Sequence, residues 1–250
     1  MDMIELYHGD ALRVMDGLES KSFDAVVTDP PYASGGASTA ERLKSTAYKY
    51  TSSSGTKTRI VNFEGDAMDQ ITWVGLMTDV LIAARRIAKD GALLLVFVDW
   101  RQYSALSTIV QRTGWVWRGT VVWDKGNSRP QMGRYKQQCE FILWASNGGV
   151  RTDASRVYPG LFHYQNVSGP KRIHQTQKPD GLMLDLLRPI PAGGRIIDPF
   201  AGSGSTLQAA DKLGLDAVGV EISSAIAQAA AERLHITLNV AGGVDDLTDA

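Results

Sequence analysis

The sequence predicts an α/β protein built on one doubly wound, mostly parallel sheet. Three observations carry this expectation. Short runs of β-branched and other apolar residues alternate along the chain with longer segments of helical periodicity. Residues 195–221 read as a strand, a glycine-rich turn, a helix and a second strand ending in an acid, which is a βαβ pattern. The run Phe23-Asp24-Ala25-Val26-Val27-Thr28 is stopped abruptly by Asp29-Pro30-Pro31-Tyr32, as a buried strand is where it leaves a sheet edge.

Apolar runs of strand length predict strands at 4–7, 25–28, 92–98, 119–123, 140–145, 195–198 and 217–221. Helical patterns fall between them at 11–18, 73–87, 102–113, 179–187, 206–213 and 224–234. Gly114-Trp115-Val116-Trp117 starts a segment that reverses at 125–134 and adds an antiparallel pair. Segments 125–135 and 146–173 are irregular, punctuated by Gly, Pro and Asn. The expected organisation is a single catalytic domain over 1–239, with a mobile Ser/Thr/Gly-rich loop at 33–62 and a target-recognition insert at 125–172. Residues 240–250 are expected to form a flexible Gly- and Asp-rich tail. Trp73, Trp115, Trp117 and Trp144 are expected to pack around the sheet, and Trp100 to lie at its functional edge.

At 250 residues and 44% hydrophobic, the chain can bury one large core. The single cysteine, Cys139, excludes an internal disulfide, and a reducing cytoplasm is the expected location. The first ten residues lack the organisation of a signal peptide, and no apolar run reaches bilayer length, so no membrane is expected. The four histidines are scattered without metal-ligand spacing, and no metal is expected. The net charge is only −1, but its distribution is uneven. Residues 33–62 carry five Lys/Arg against one acid, and residues 112–178 carry eleven against three. Such concentration suits phosphate binding better than a basic average does.

Asp29-Pro30-Pro31-Tyr32 suits methylation of the exocyclic amine of a nucleobase. That nitrogen is a poor nucleophile because its lone pair is delocalised into the ring. Two acceptors gripping its N–H groups favour a pyramidal nitrogen; the Asp29 carboxylate and the Pro30 carbonyl can fill those roles. Consecutive prolines fix φ and remove a competing N–H, so the carbonyl is aimed in advance. Tyr32 offers a face on which an extruded base can stack.

The turn Asp198-Pro199-Phe200-Ala201-Gly202-Ser203-Gly204-Ser205-Thr206 lets backbone approach a ligand, and Glu221, 23 residues after Asp198, can accept ribose hydroxyls. A dinucleotide fingerprint would place glycine at 207, where the chain has Leu207. S-adenosylmethionine, with ribose and adenine but no phosphate and a cationic sulfonium, suits an acid-rimmed loop better than a dinucleotide does.

Taken in order, these motifs resemble those of the DNA amino-methyltransferases, in the permuted group that places Asp-Pro-Pro-Tyr before the cofactor loop. The resemblance extends to His8-Gly9-Asp10-Ala11-Leu12, to Val121-Val122-Trp123-Asp124-Lys125 with Glu140-Phe141-Ile142-Leu143-Trp144, and to His174-Gln175-Thr176-Gln177-Lys178-Pro179. Ser205 stands where the family more often has Thr. It implies a Rossmann-like methyltransferase fold and S-adenosylmethionine as cofactor. The cofactor would be held by Asp10, Ala11, Gln177, Lys178, Pro179, Asp198, Phe200, Ala201, Gly202, Ser203, Gly204 and Glu221. Asp29, Pro30, Pro31 and Tyr32 would form the catalytic motif. Asp at its first position implies adenine N6 as the target, with cytosine N4 as the alternative.

A C5-cytosine mechanism would need a cysteine nucleophile, and Cys139 lies in a predicted strand without a matching Pro-Cys loop. An RNA or protein-amide methyltransferase usually carries the cofactor loop before the Pro-Pro-Tyr motif, the opposite of the order here; a non-catalytic sensor of cofactor or DNA is a further alternative. Double-stranded DNA is the expected partner, with a second copy of the chain and a companion restriction endonuclease as further candidates. Expected DNA contacts are Lys44, Lys49 and Lys57 in the first basic segment and Arg129, Arg134 and Tyr135 in the second, with Tyr164 a further stacking candidate.

Overall fold

Strand β2 (Phe23–Thr28) is buried on both faces, and the sheet is organised around it. A computed structural model describes residues 3–32, 68–127, 132–150, 156–166 and 178–241. Within them lie β1 (Ile4–His8), α1 (Ala11–Asp16), β2, α2 (Gln70–Ile87), β3 (Ala88–Val98), α3 (Tyr103–Arg112), β4 (Val116–Asp124) and β5 (Cys139–Ser146). They continue with β6 (Leu161–His163), α4 (Asp180–Leu187), β7 (Arg195–Asp198), α5 (Ser205–Lys212), β8 (Asp216–Glu221), α6 (Ser224–Leu234) and β9 (Leu238–Val240).

The strand order is β6-β4-β5-β3-β2-β7-β8-β1-β9. β5 runs antiparallel to β3 and β4, and the other described pairings are parallel. The continuous apolar runs of β2 and β3 are those of strands covered on both faces. Val26, Leu94 and Val96 face a core shared with α1, α2 and α3. Ala25, Val27, Leu93 and Leu95 face the opposite core, shared with α4, α5 and α6. The expected doubly wound, mostly parallel architecture is the observed one.

From β2 the chain crosses through α2 to β3 on one side; from the adjacent β7 it crosses through α5 to β8 on the other. The crevice at the carboxyl ends of β2 and β7 is therefore a topological switch point, where open α/β sheets bind ligands. Asp29 and Asp198 stand there.

Several expectations are corrected. β6 lies inside a segment read as irregular; three residues carry too little periodicity to signal a strand, and pairing with β4 makes one. Val240, assigned to the tail, ends β9 beside β1. The strand expected at 140–145 is present as β5, an interior strand of the sheet running within the 125–172 segment. β3 starts at Ala88 rather than 92, because Ala88 pairs with Phe23 before a register shift near Gly91, whose φ is 82°. Trp73 and Trp115 are buried as expected and Trp144 partly so, but Trp117 is exposed.

Candidate active site

The antiparallel course of β5 decides the composition of the site. Parallel strands β2, β3, β7 and β8 bring their last residues to one edge of the sheet, and β5 brings its first residues to the same edge. Glu140, paired with Trp123 of β4, consequently meets Tyr32, which follows β2, across the end of β3.

There the Tyr32 hydroxyl lies 2.5 Å from Asp29 Oδ1 and 2.6 Å from Glu140 Oε1. The Lys178 ammonium donates to Asp29 Oδ2 at 2.6 Å and stands 2.9 Å from Glu140 Oε1. Lys125 donates to the other Glu140 oxygen at 3.0 Å. The Lys178 and Glu140 side chains are 9% and 8% exposed, the buried centre of a cluster whose outer members, Asp29 and Lys125, are 23% and 20% exposed. The Lys178 ammonium also faces the Phe97, Tyr32 and Trp123 rings at 4.8, 5.6 and 5.9 Å, completing a cation cage.

The electrostatics follow from burial set against these partners. Burial opposes the charge on Glu140, but Lys178 and Lys125 outweigh it and bring its carboxyl down to about 2. Asp29 has one ammonium rather than two; burial dominates, the Lys178 charge offsets it in part, and its carboxyl lies above the usual range. Burial disfavours the Lys178 charge, yet Asp29 and Glu140 prevail and hold it above its ordinary value. Burial and the two adjacent carboxylates keep the Tyr32 phenol protonated well beyond its usual range.

The Asp-Pro-Pro-Tyr turn is pinned from α2. The Trp73 indole N–H donates to the Pro31 carbonyl at 2.5 Å. Among the described residues no hydrogen bond is made to the Pro30 carbonyl, the one expected to grip an amine.

The expected cofactor loop leaves the end of β7. The Asp198 carboxylate accepts from the Thr28 hydroxyl at 2.8 Å and from the Phe200 N–H at 3.1 Å. Burial pushes its carboxyl up to about 6 against those hydrogen bonds. Ala201 and Ser203 are buried in the turn, Phe200 packs partly against the α2-side core, and Gly202 and Gly204 take φ of 52° and 78°. A side chain at 204 would meet Leu234 of α6 at 2.9 Å. The Leu207 departure has its explanation in β8. Leu207 is fully buried over Gly219, where a Cβ would come within 2.8 Å of it, so the close approach of helix to strand uses a glycine on the strand.

Glu221, 5% exposed at the end of β8, accepts the Gly202 N–H at 3.0 Å on one oxygen and the Ser223 N–H at 2.8 Å on the other. Burial raises its carboxyl. Each oxygen keeps a lone pair for a hydroxyl, which fits the ribose role. Asp10 lies just past β1, beside Glu221 through the Gly9 N–H to Glu221 carbonyl bond at 3.0 Å, and caps α1 by accepting the Arg13 N–H at 3.0 Å. Ala11 is buried in the α1 core. Pro179 is buried at the start of α4. The Lys178 side chain, assigned to the cofactor segment, has its ammonium on Asp29 and Glu140 instead.

Of the expected DNA contacts, Lys44, Lys49, Lys57 and Arg129, like Gln177 of the cofactor set, lie outside the described residues. Arg134 and Tyr135 are exposed, Tyr135 at 95%. Tyr164 is corrected: its hydroxyl donates to Asp185 and its ring covers Gly181, so it belongs to the packing of α4. Trp100 stands past β3 at the functional edge, 61% exposed. Glu140 and Trp73 carry no signal of their own in the sequence beyond an acid opening an apolar strand and a helix tryptophan.

A family model described as DNA methylase matches residues 23–232. The Type II methyltransferase M2.LlaDCHI of Lactococcus lactis subsp. cremoris is 23% identical, with 92% of this chain and 88% of that protein covered. Among solved structures, the M1.HpyAVI–SAM complex superposes with a TM-score of 0.68 at 23% identity, covering 93% of this chain and all of that one. The cytosine-N4-specific PvuII DNA methyltransferase superposes with a TM-score of 0.71 at 16% identity, covering 92% and 86%. At these identities the two structures are likenesses of fold.

Proposed function

The chain belongs to the N6/N4 DNA methylase family, and on that premise we propose that it transfers the methyl group of S-adenosylmethionine to the N6 amine of adenine in double-stranded DNA. One observation carries the reading: the Thr28–Asp198 hydrogen bond at 2.8 Å sets the amine-gripping motif directly against the cofactor loop. The residues fit the cofactor. The turn 198–204 with its two left-handed glycines offers backbone without side-chain obstruction, and Glu221 keeps acceptor capacity for ribose hydroxyls. Asp10 lies at the same edge, next to Glu221. When bound, S-adenosylmethionine supplies a methyl group activated by its sulfonium.

The protein's own part is positioning. A base rotated out of the duplex, at a cost of roughly a few kcal/mol, enters the switch-point crevice. Asp29 and the Pro30 carbonyl accept its amine N–H groups, and the Tyr32 ring stacks on it, held by its hydroxyl. Trp73, by engaging the Pro31 carbonyl, fixes the turn that aims Pro30. Holding both reactants in line and away from water supplies much of the acceleration. Resemblance to the family, in which aspartate at the first motif position goes mainly with adenine, favours adenine over cytosine. Transfer of labelled methyl groups from S-adenosylmethionine to DNA from cells free of amino-methylation, followed by nucleoside analysis, tests this. N6-methyladenine is expected; N4-methylcytosine would move the target, and no transfer would reject the enzyme reading.

A further inference from the structure

Lys178 is not one of the groups that grip the amine, yet it is the most heavily coordinated side chain in the site. Its ammonium touches Asp29 Oδ2 at 2.6 Å and Glu140 Oε1 at 2.9 Å, with the Tyr32 oxygen at 3.5 Å. Three aromatic rings enclose it within 6 Å. It reaches the site from the residue preceding Pro179, and nothing in its described contacts touches the 198–204 loop. A cation held this firmly has no freedom to serve a distant ligand.

A buried carboxylate that must accept an amine N–H faces a physical difficulty. Burial favours its protonated form, and a protonated carboxyl loses the acceptor capacity that gripping the amine uses. Among the described residues, the groups facing Asp29 are Tyr32 on its own turn, Lys178 before α4, Glu140 at the start of β5 and Asp198 at the end of β7. Among them Lys178 alone carries positive charge; Lys125 is spent on the far oxygen of Glu140.

Resting on the amino-methyltransferase reading, we propose that Lys178 is a positioning residue that keeps Asp29 ionised and oriented for the target amine, while Glu140 holds Lys178 in place and competes with Asp29 for its charge. Shared between two acids, the ammonium stabilises the Asp29 carboxylate through one oxygen. The remaining lone pairs of Asp29 stay available for the amine. The separate influences on Asp29 have the signs this requires, although burial prevails and the net shift is upward: burial raises it, Lys178 lowers it and Glu140 raises it.

This arrangement predicts displacements of opposite sign. In the full chain, Lys178→Met should move the acidic limb of the methyl-transfer rate toward higher pH by about one unit or more, the scale for removing an adjacent opposite charge. At pH values below the limb that appears as a loss of about tenfold for each unit of displacement, recovered on alkalinisation, with affinity for S-adenosylmethionine unchanged. Glu140→Gln leaves Lys178 to Asp29 alone and should move the same limb toward lower pH. Lys178→Arg keeps the charge and should keep the limb where the wild type has it. A limb that stays in place in Lys178→Met, cofactor affinity that falls as far as the rate, or an alkaline displacement in a folded Lys178→Arg overturns the assignment. If the wild-type chain transfers no methyl to DNA, it is the underlying amino-methyltransferase reading that fails. The carboxyl resonance of Asp29, titrated in wild type and Lys178→Met, then still decides: higher titration in the variant supports the role, an unmoved midpoint rejects it.

Discussion

The Thr28 hydroxyl donates to the Asp198 carboxylate at 2.8 Å, joining the ends of β2 and β7 across 170 positions of sequence. Two motifs that read separately along the chain are thus one structural unit, and the acid between them is buried and poorly solvated. Burial raises the Asp198 carboxyl from its usual value to about 6. A group whose folded pKa is raised binds its proton more tightly in the native state, so its contribution is fully present below the unfolded value near 4. It is lost as pH rises through about 6. Acidification from pH 7 toward 4 should therefore stabilise the protein through this group by about 3 kcal/mol, on an order-of-magnitude scale. Chemical unfolding across that range should show the gain in wild type and its reduction in Asp198→Asn.

Gly219 and Leu207 predict a compensating pair. A methyl group at 219 would lie 2.8 Å from Leu207 and 2.9 Å from Ala201, inside a packed layer. Gly219→Ala should destabilise by about 1–3 kcal/mol, as overpacking does. Adding Leu207→Ala should remove the overlap with Leu207 and leave only that with Ala201, so the double variant should be destabilised by less than the two single variants combined. Additive effects in denaturant titrations would mean that the two positions are not coupled.

Glu221 makes two backbone hydrogen bonds and is expected to make further ones to ribose. Glu221→Ala should weaken S-adenosylmethionine binding by about 1.5–3 kcal/mol, the range for hydrogen bonds to a charged group. Calorimetry checks this, and unchanged affinity would remove Glu221 from the cofactor site.

Duplex binding should be salt-dependent through the basic segments. Arg134→Glu, and reversals at Lys44, Lys49, Lys57 and Arg129, should flatten the slope of log affinity against log salt by about 0.9 for each phosphate no longer neutralised. Base readout looks different: affinity falls selectively for a cognate site, by roughly 1–3 kcal/mol per bidentate hydrogen-bonded pair. Salt titrations on varied duplexes distinguish the two outcomes, and no effect from any reversal would place DNA on another face.

The sheet, its winding and the glycine-rich turn after β7 were legible in the sequence because they are local patterns: apolar runs such as 92–98, helical periodicity in 224–234, and glycines between a strand and a helix. The cluster around Lys178 was not, because it depends on strand direction. Only the antiparallel course of β5 brings Glu140 to the edge where β2 ends, and no periodicity encodes which way a strand runs. The Trp73–Pro31 hydrogen bond is similarly a product of α2 packing, 42 positions away. Leu207 read as a departure from a fingerprint; its reason, Gly219, lies on the next strand and appears only with the fold.

Asp29 is assigned to the target amine rather than to the cofactor, and Asp29→Ala decides between the two. Methyl transfer to DNA and S-adenosylmethionine affinity are to be measured on the same preparation of the variant. A rate loss of roughly a hundred- to a thousandfold or more is expected, the scale for removing one preorganised polar group, with cofactor affinity nearly intact. Loss of cofactor affinity comparable to the loss of rate, or methyl transfer that survives, would refute the assignment.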